Sequence, residues 1–134
     1  MTEGQATFER AQVIIKRGDI IAMRKLLDAG LDPNSRHRFG STLLMVAAGY
    51  GQTRIAELLI ARGAIVNMID KFGSSALADA TLEGHCATIR ALLEHGATVK
   101  VSPHGVSLLT YALWGRGELK TCRHLGILRS AGAT

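Results

Sequence analysis

Only two cysteines and two prolines occur in the 134 residues, and aromatic side chains make up just 4% of them. Two cysteines cannot staple a small disulfide scaffold. Cys86 and Cys122 stand where small apolar residues belong in the pattern described below, which predicts buried free thiols. So few aromatic residues argue against a β-sandwich core and suit an interior of alanine and leucine. No apolar run approaches the roughly 18 residues needed to cross a bilayer. The opening MTEGQATFER has neither a basic n-region nor an apolar h-region. A monomeric, cytoplasmic protein without a membrane span is expected. The net charge of +5 comes from lysines and arginines scattered along the chain. A basic balance of this kind mildly favours an acidic partner.

What is present is a period. Glycines recur at one fixed spacing: Gly18, Gly51 and Gly84, then Gly30, Gly63 and Gly96, and again Gly40 and Gly73. Between them GSTLLMVAAGYGQTRIAELLIARGA (Gly40–Ala64) reads as a hydroxyl-led helix, a glycine turn and a second helix closed by Gly63. Aliphatic pairs at Leu26-Leu27 and Leu92-Leu93 hold the same phase. A turn and two helices in each period of about 33 residues resembles the ankyrin repeat. The resemblance covers nearly the whole chain and implies an all-α solenoid: four stacked helix-turn-helix repeats, roughly 5–36, 37–69, 70–101 and 102–134, in a single domain spanning 1–134. The family pattern Thr-Pro-Leu-His is eroded to Thr42-Leu43-Leu44-Met45, Ser75-Ala76-Leu77-Ala78 and Ser107-Leu108-Leu109-Thr110. The N-cap hydroxyl survives each time, and it is the part local physics demands, worth about 1 kcal/mol per helix.

Residues 1–6 are expected to fray, with the first helix at Thr7–Arg17 placing Phe8, Ala11, Ile14 and Ile15 at helical spacing. Short fingers join the repeats at Leu31–Gly40 and Ile65–Gly73, with Asn34 and Asn67 expected to bond neighbouring backbone. The third finger, Thr98–Gly105, is a residue shorter and contains Pro103, so it is expected to be the least regular.

Signals for chemistry are weak. His85 and His95 flank turn glycines, and Cys122-x-His124 has no second ligand pair at zinc spacing. No G-x-x-x-x-G-K-S/T loop and no glycine-flanked serine elbow occurs. Asp79 and Glu83 can share a helix face, but raising one carboxyl pKa needs a concave, water-poor pocket, which a flat groove seldom supplies. No catalytic residue, metal site or cofactor is expected.

The resemblance also implies where a partner binds. In ankyrin proteins the finger tips and the solvent side of the first helices form one concave surface. Its variable positions correspond here to Arg38, Phe39, Ser41, Gly49 and Tyr50, then to Lys71, Phe72, Ser74, Leu82 and Glu83, and last to Pro103, His104, Val106, Trp114 and Arg116. Phe39, Tyr50, Phe72 and Trp114 are aromatic, and aromatics beside arginine are the composition of interface hot spots. The expected partner-binding set is Arg38, Phe39, Tyr50, Lys71, Phe72, Leu82, Glu83, His104, Trp114 and Arg116. The competing reading has Phe39 and Phe72 packing on neighbouring fingers. The implied function is non-catalytic binding of a folded protein, as an inhibitor or regulator, a bacterial toxin-immunity protein among the options. The alternative is a nucleic-acid or anionic-lipid headgroup binder using the basic residues. Against it, Arg54, Arg90 and other cations spread away from that face.

Overall fold

The computed structural model describes residues 3–37 and 39–98. These form helix pairs in chain order: α1 (Glu3–Arg17) with α2 (Ile20–Asp28), α3 (Leu43–Gly49) with α4 (Thr53–Ala61), and α5 (Ala76–Glu83) with α6 (Cys86–Glu94). The fourth repeat lies outside the described residues. The first helix begins at Glu3, not Thr7, so most of the segment expected to fray is helical. A single glycine near a helix end, here Gly4, costs only about 1 kcal/mol. The packing of Phe8 and Ala11 further along the same helix outweighs it.

The N-caps of α3 and α5 are those read from the sequence. Thr42 Oγ1 accepts from the Met45 N–H at 3.2 Å, and Ser75 Oγ accepts from the Ala78 N–H at the same distance. Both cap residues are extended, as an N-cap requires, and both are buried. Turns between paired helices pass through Gly18, Gly51 and Gly84, all at positive φ. Gly51 is doubly constrained, because a Cβ there would lie 2.6 Å from His85 Nδ1.

First helices pack on first helices (α1 on α3, α3 on α5) and second helices on second helices (α2 on α4, α4 on α6), giving two layers. Alanines at 47, 48, 76, 78 and 80 are fully or almost fully buried and let α3 and α5 approach closely. Larger side chains fill the space between layers. Phe8, Ile15, Met23, Leu44, Ile55, Leu59, Leu77, Ile89 and Leu92 are each less than 2% exposed. Each such side chain contributes about 1.5–3 kcal/mol of hydrophobic transfer.

Polar ties between repeats run where local reading does not place them. The Asn34 side chain does not bond its own neighbourhood. Its Nδ2 donates to the Gly63 carbonyl at 3.0 Å, and its Oδ1 accepts from the Ile65 N–H at 2.8 Å. Asn67 repeats this one joint further on, with the Gly96 carbonyl (3.1 Å) and the Thr98 N–H (2.8 Å). Each amide thus clamps the end of the next repeat's second helix, where orphan carbonyls need donors. His85 Nε2 donates to the Gly49 carbonyl at 3.0 Å, and the Thr53 and Thr88 hydroxyls meet at 2.8 Å.

Cys86 departs from expectation as well. It is half-buried and disulfide-bonded rather than a buried free thiol. Its place as the first residue of α6 puts it at the helix end, off the packed face.

Candidate functional site

Finger tips are built by backbone first. In the first, His37 N–H donates to the Ser41 carbonyl at 2.8 Å and an isolated antiparallel bridge joins Arg36 to Thr42. In the second, Asp70 N–H donates to the Ser74 carbonyl at 2.9 Å and the bridge joins Ile69 to Ser75. The Lys71 N–H donates to the Phe39 carbonyl at 2.9 Å, binding one tip to the next. Gly40 stands at φ +80° beside that bond, and a Cβ there would crowd the Lys71 nitrogen at 3.1 Å.

This registration sets the aromatic rings in a row. Phe39 and Phe72 are 43% and 55% exposed, yet their ring centroids are 6.1 Å apart. His37 lies 5.8 Å from Phe39 and 5.5 Å from the buried ring of Phe8. The two phenylalanines therefore touch each other across the fingers and face solvent at once. They form one continuous surface. Sequence reasoning misses His37 as a member of the row, because only the fold brings it between Phe8 and Phe39. The equivalent position in the next finger is Asp70, whose Oδ1 accepts from the Phe72 and Ser74 N–H groups at 2.9 Å each. One tip is held by a carboxylate and the other by ring packing.

A second cluster lies over the first-helix layer. An open groove of about 510 Å³ is lined by residues including Val46, Gly49, Tyr50, Asp79, Leu82 and Glu83. Tyr50, Leu82 and Glu83 from the expected site are thus brought together. Tyr50, at the C-cap of α3, is 48% exposed, with the Lys16 ammonium 5.7 Å from its ring centroid. Burial pushes the Asp79 carboxyl up from 3.8 to about 7. The Ser74 hydroxyl opposes that rise by donating to Oδ1 at 2.8 Å, and the charges of Asp70 and Glu83 add to it. The groove is therefore not the flat one expected, since α5 carries Asp79 into the angle between helix layer and finger. Lys71 is exposed on the second tip. Arg38, His104, Trp114 and Arg116 lie outside the described residues.

Among the described residues, basic side chains do not assemble into one face. Arg62 pairs with Asp28 at 2.7 Å on the second-helix side, Arg36 reaches the Met68 sulfur, and Lys16 sits over Tyr50. A phosphate-binding surface concentrates cations, whereas this groove carries carboxylates. Among the described residues no group of His, Cys, Asp and Glu could hold a metal ion, and no helix is long and apolar enough to cross a membrane.

Known proteins share this pattern. The family model for ankyrin repeats in three copies matches residues 12–103. Cyclin-dependent kinase 4 inhibitor B of Bos taurus is 40% identical over 110 residues, covering 81% of this chain and 83% of the relative. Its counterpart from Homo sapiens is 35% identical over 102 residues, covering 75% and 73%. Serine/threonine-protein kinase 12 of Arabidopsis thaliana is 36% identical over 94 residues, which span 70% of this chain but only 20% of that kinase. With helix pairs at a fixed period and a family match over most of its length, the chain belongs to the ankyrin-repeat family and is a protein-binding module of regulatory type.

Proposed function

We propose that this protein is a non-catalytic inhibitor whose concave side, finger tips and groove together, closes on a folded protein, and that the partner is a protein kinase. The kinase class is supported by the inhibitor relatives matched over most of their length. The surface itself is supported by one observation above all: the exposed rings of Phe39 and Phe72 on successive fingers, in tilted contact with each other. Large aromatics left open to water at adjacent points are costly unless a partner covers them, and aromatic anchors dominate binding energy where they are covered. Lys71, exposed beside them, supplies a cation at the rim, and Arg38 is proposed as a second from its equivalent position in the sequence. By their register in the sequence, His104, Trp114 and Arg116 are proposed as further partner contacts, and the chain acts as a monomer. Its location is cytoplasmic, which cell fractionation would test against the disulfide at Cys86, since reducing compartments keep thiols reduced.

Calorimetric titration into purified cyclin-dependent kinase 4 tests the partner class. A true aromatic anchor costs at least roughly 2 kcal/mol on truncation, about thirtyfold in affinity. Phe39→Ala or Phe72→Ala should each weaken binding by that order with little change in melting temperature. Because the rings touch, the double variant should lose less than the sum. Arg54→Ala and Arg90→Ala, exposed on α4 and α6, should change little. No binding of the wild-type chain at tens of micromolar would remove the kinase. Phenylalanine variants that unfold the chain while sparing affinity would reduce the rings to finger packing.

A further inference from the structure

The two finger tips share a backbone and differ in the side chain at the corner. His37 N–H donates to the Ser41 carbonyl at 2.8 Å, and the Gly40 N–H donates back to the His37 carbonyl at 2.8 Å. Asp70, at the equivalent place in the next finger, makes the same pair of bonds, with the Ser74 carbonyl at 2.9 Å and the Gly73 N–H at 3.1 Å. The backbone thus closes alike around an imidazole and around a carboxylate. What each side chain adds is different. Asp70 Oδ1 turns to the Phe72 and Ser74 N–H groups of its own tip. The half-buried His37 ring lies between two phenylalanines, its centroid 5.5 Å from that of Phe8 and 5.8 Å from that of Phe39. Both separations fall within the range of packed aromatic pairs, about 4.5–7 Å.

Those contacts run from the core to the solvent. Phe8, on α1, is 1% exposed and belongs to the hydrophobic core, whereas Phe39 is 43% exposed and touches Phe72. Phe8 is fixed by packing, His37 rests on Phe8, and Phe39 rests on His37. A half-exposed phenylalanine on a loop otherwise samples several rotamers. Ordering a side chain of that kind at an interface weakens binding by about two- to tenfold. A ring seated on a core residue is ordered before any partner arrives.

We infer that His37 is a positioning residue: through its contact with buried Phe8 it holds the Phe39 ring, and with it Phe72, in the orientation that the partner protein meets. The inference deepens the finger-tip reading above and rests on it. His37 needs no contact of its own with the partner. The first repeat thereby gains a role in binding, because its core residue Phe8 anchors a finger that carries the contact.

Two substitutions separate the ring from the turn. His37→Asp supplies the carboxylate that the second finger uses at this place, so the tip keeps its backbone and loses its ring anchor. His37→Phe keeps a ring between Phe8 and Phe39. In the free full chain, nuclear Overhauser contacts between the Phe39 and Phe72 rings should be strong in the wild type and in His37→Phe. They should weaken in His37→Asp, while the melting temperature and the exchange protection of the Lys71 amide, bonded to the Phe39 carbonyl, change little. In titrations into purified cyclin-dependent kinase 4, His37→Asp should bind about three- to tenfold more weakly than the wild type, and His37→Phe within about twofold of it. In a Phe39→Ala background His37→Asp should have no further effect on affinity, because nothing is left for it to position. Absence of wild-type binding would remove the kinase as partner, and the ring contacts in the free chain would still decide whether His37 holds Phe39. Ring contacts unaffected by His37→Asp, equal affinity of His37→Asp and the wild type, His37→Phe as weak as His37→Asp, or full additivity with Phe39→Ala would each overturn the inference.

Discussion

Asn34→Ala removes a joint, not a core residue, and its cost follows from the contacts it breaks. The amide makes one bond as donor, to the Gly63 carbonyl at 3.0 Å, and one as acceptor, from the Ile65 N–H at 2.8 Å. A neutral hydrogen bond contributes a net ~1 kcal/mol. Both partners lie near the surface, where water recovers part of each loss, so the expected destabilisation is about 1–2 kcal/mol. In a solenoid each repeat is supported by its neighbours alone. The effect should therefore appear locally, as faster hydrogen exchange at the Ile65 amide and the last turn of α4, as well as in urea unfolding.

Asn34→Asp sharpens the test. It is nearly isosteric and still accepts from Ile65, but it cannot donate to the Gly63 carbonyl. Its charge would also face the C-terminal end of α4, where the helix dipole repels an anion. Asp should therefore cost at least as much as Ala, although it keeps one of the bonds. If Asn34→Ala leaves the urea midpoint where it was, or leaves Ile65 exchange unchanged, the clamp is not a structural tie. Such an outcome would also remove the reason to expect the same from Asn67→Ala.

Other outcomes can be checked in the same material. Because the folded Asp79 carboxyl titrates near 7 against 3.8 ordinarily, the folded state holds the extra proton between those values. Stability is then fullest below about pH 4 and declines as pH rises through about 7; Asp79→Asn should flatten that slope and be more stable at pH 8 by about 1–3 kcal/mol in pH-stepped melting. Thr42→Ala and Ser75→Ala should each cost about 1 kcal/mol in urea unfolding through the lost N-cap bond. Gly51→Ala should destabilise by more than the roughly 1–2 kcal/mol of a left-handed alanine, because its Cβ also meets His85, whereas Gly49→Ala should cost nothing.

Local rules carry most of the architecture. Thr42 and Ser75 are readable as caps, and Gly18, Gly51 and Gly84 as turns, because each acts on backbone within a few residues. Asn34 misleads for the complementary reason. Its partners lie 29 and 31 residues away in sequence, and only stacking brings them into reach. Phe39 and Phe72 are legible either as exposed, equivalent positions or as finger-packing rings, but not as both at once, since that depends on how two fingers register through the Lys71–Phe39 backbone bond. Asp79 is legible as a carboxylate and not as a shifted one. Its environment is made by α3 and the finger as much as by its own helix.

One signal for the groove does stand in the sequence, and it appears only when repeats are compared at fixed register. Several buried positions copy themselves from one repeat to the next, Leu44 with Leu77, Ala47 with Ala80, Leu59 with Leu92 and Thr42 with Ser75, while Leu43 with Ala76, Met45 with Ala78 and Ala48 with Thr81 change size yet stay uncharged. The groove does the opposite. Its lining contains the equivalent pairs Val46 and Asp79, Gly49 and Leu82, and Tyr50 and Glu83, and each pair joins chemically unlike side chains. A stacked repeat must keep its core uncharged and tightly packed, because each layer of side chains meets the next in similar geometry. Positions facing outward escape that constraint, so matching there is optional and mismatch costs the fold little. Mismatch at adjacent equivalent positions is then what creates a local shape and a local charge on an otherwise periodic surface. By this reasoning Gly49, which would cost the helix least as alanine and is instead left bare, marks the groove's floor better than any charged residue around it.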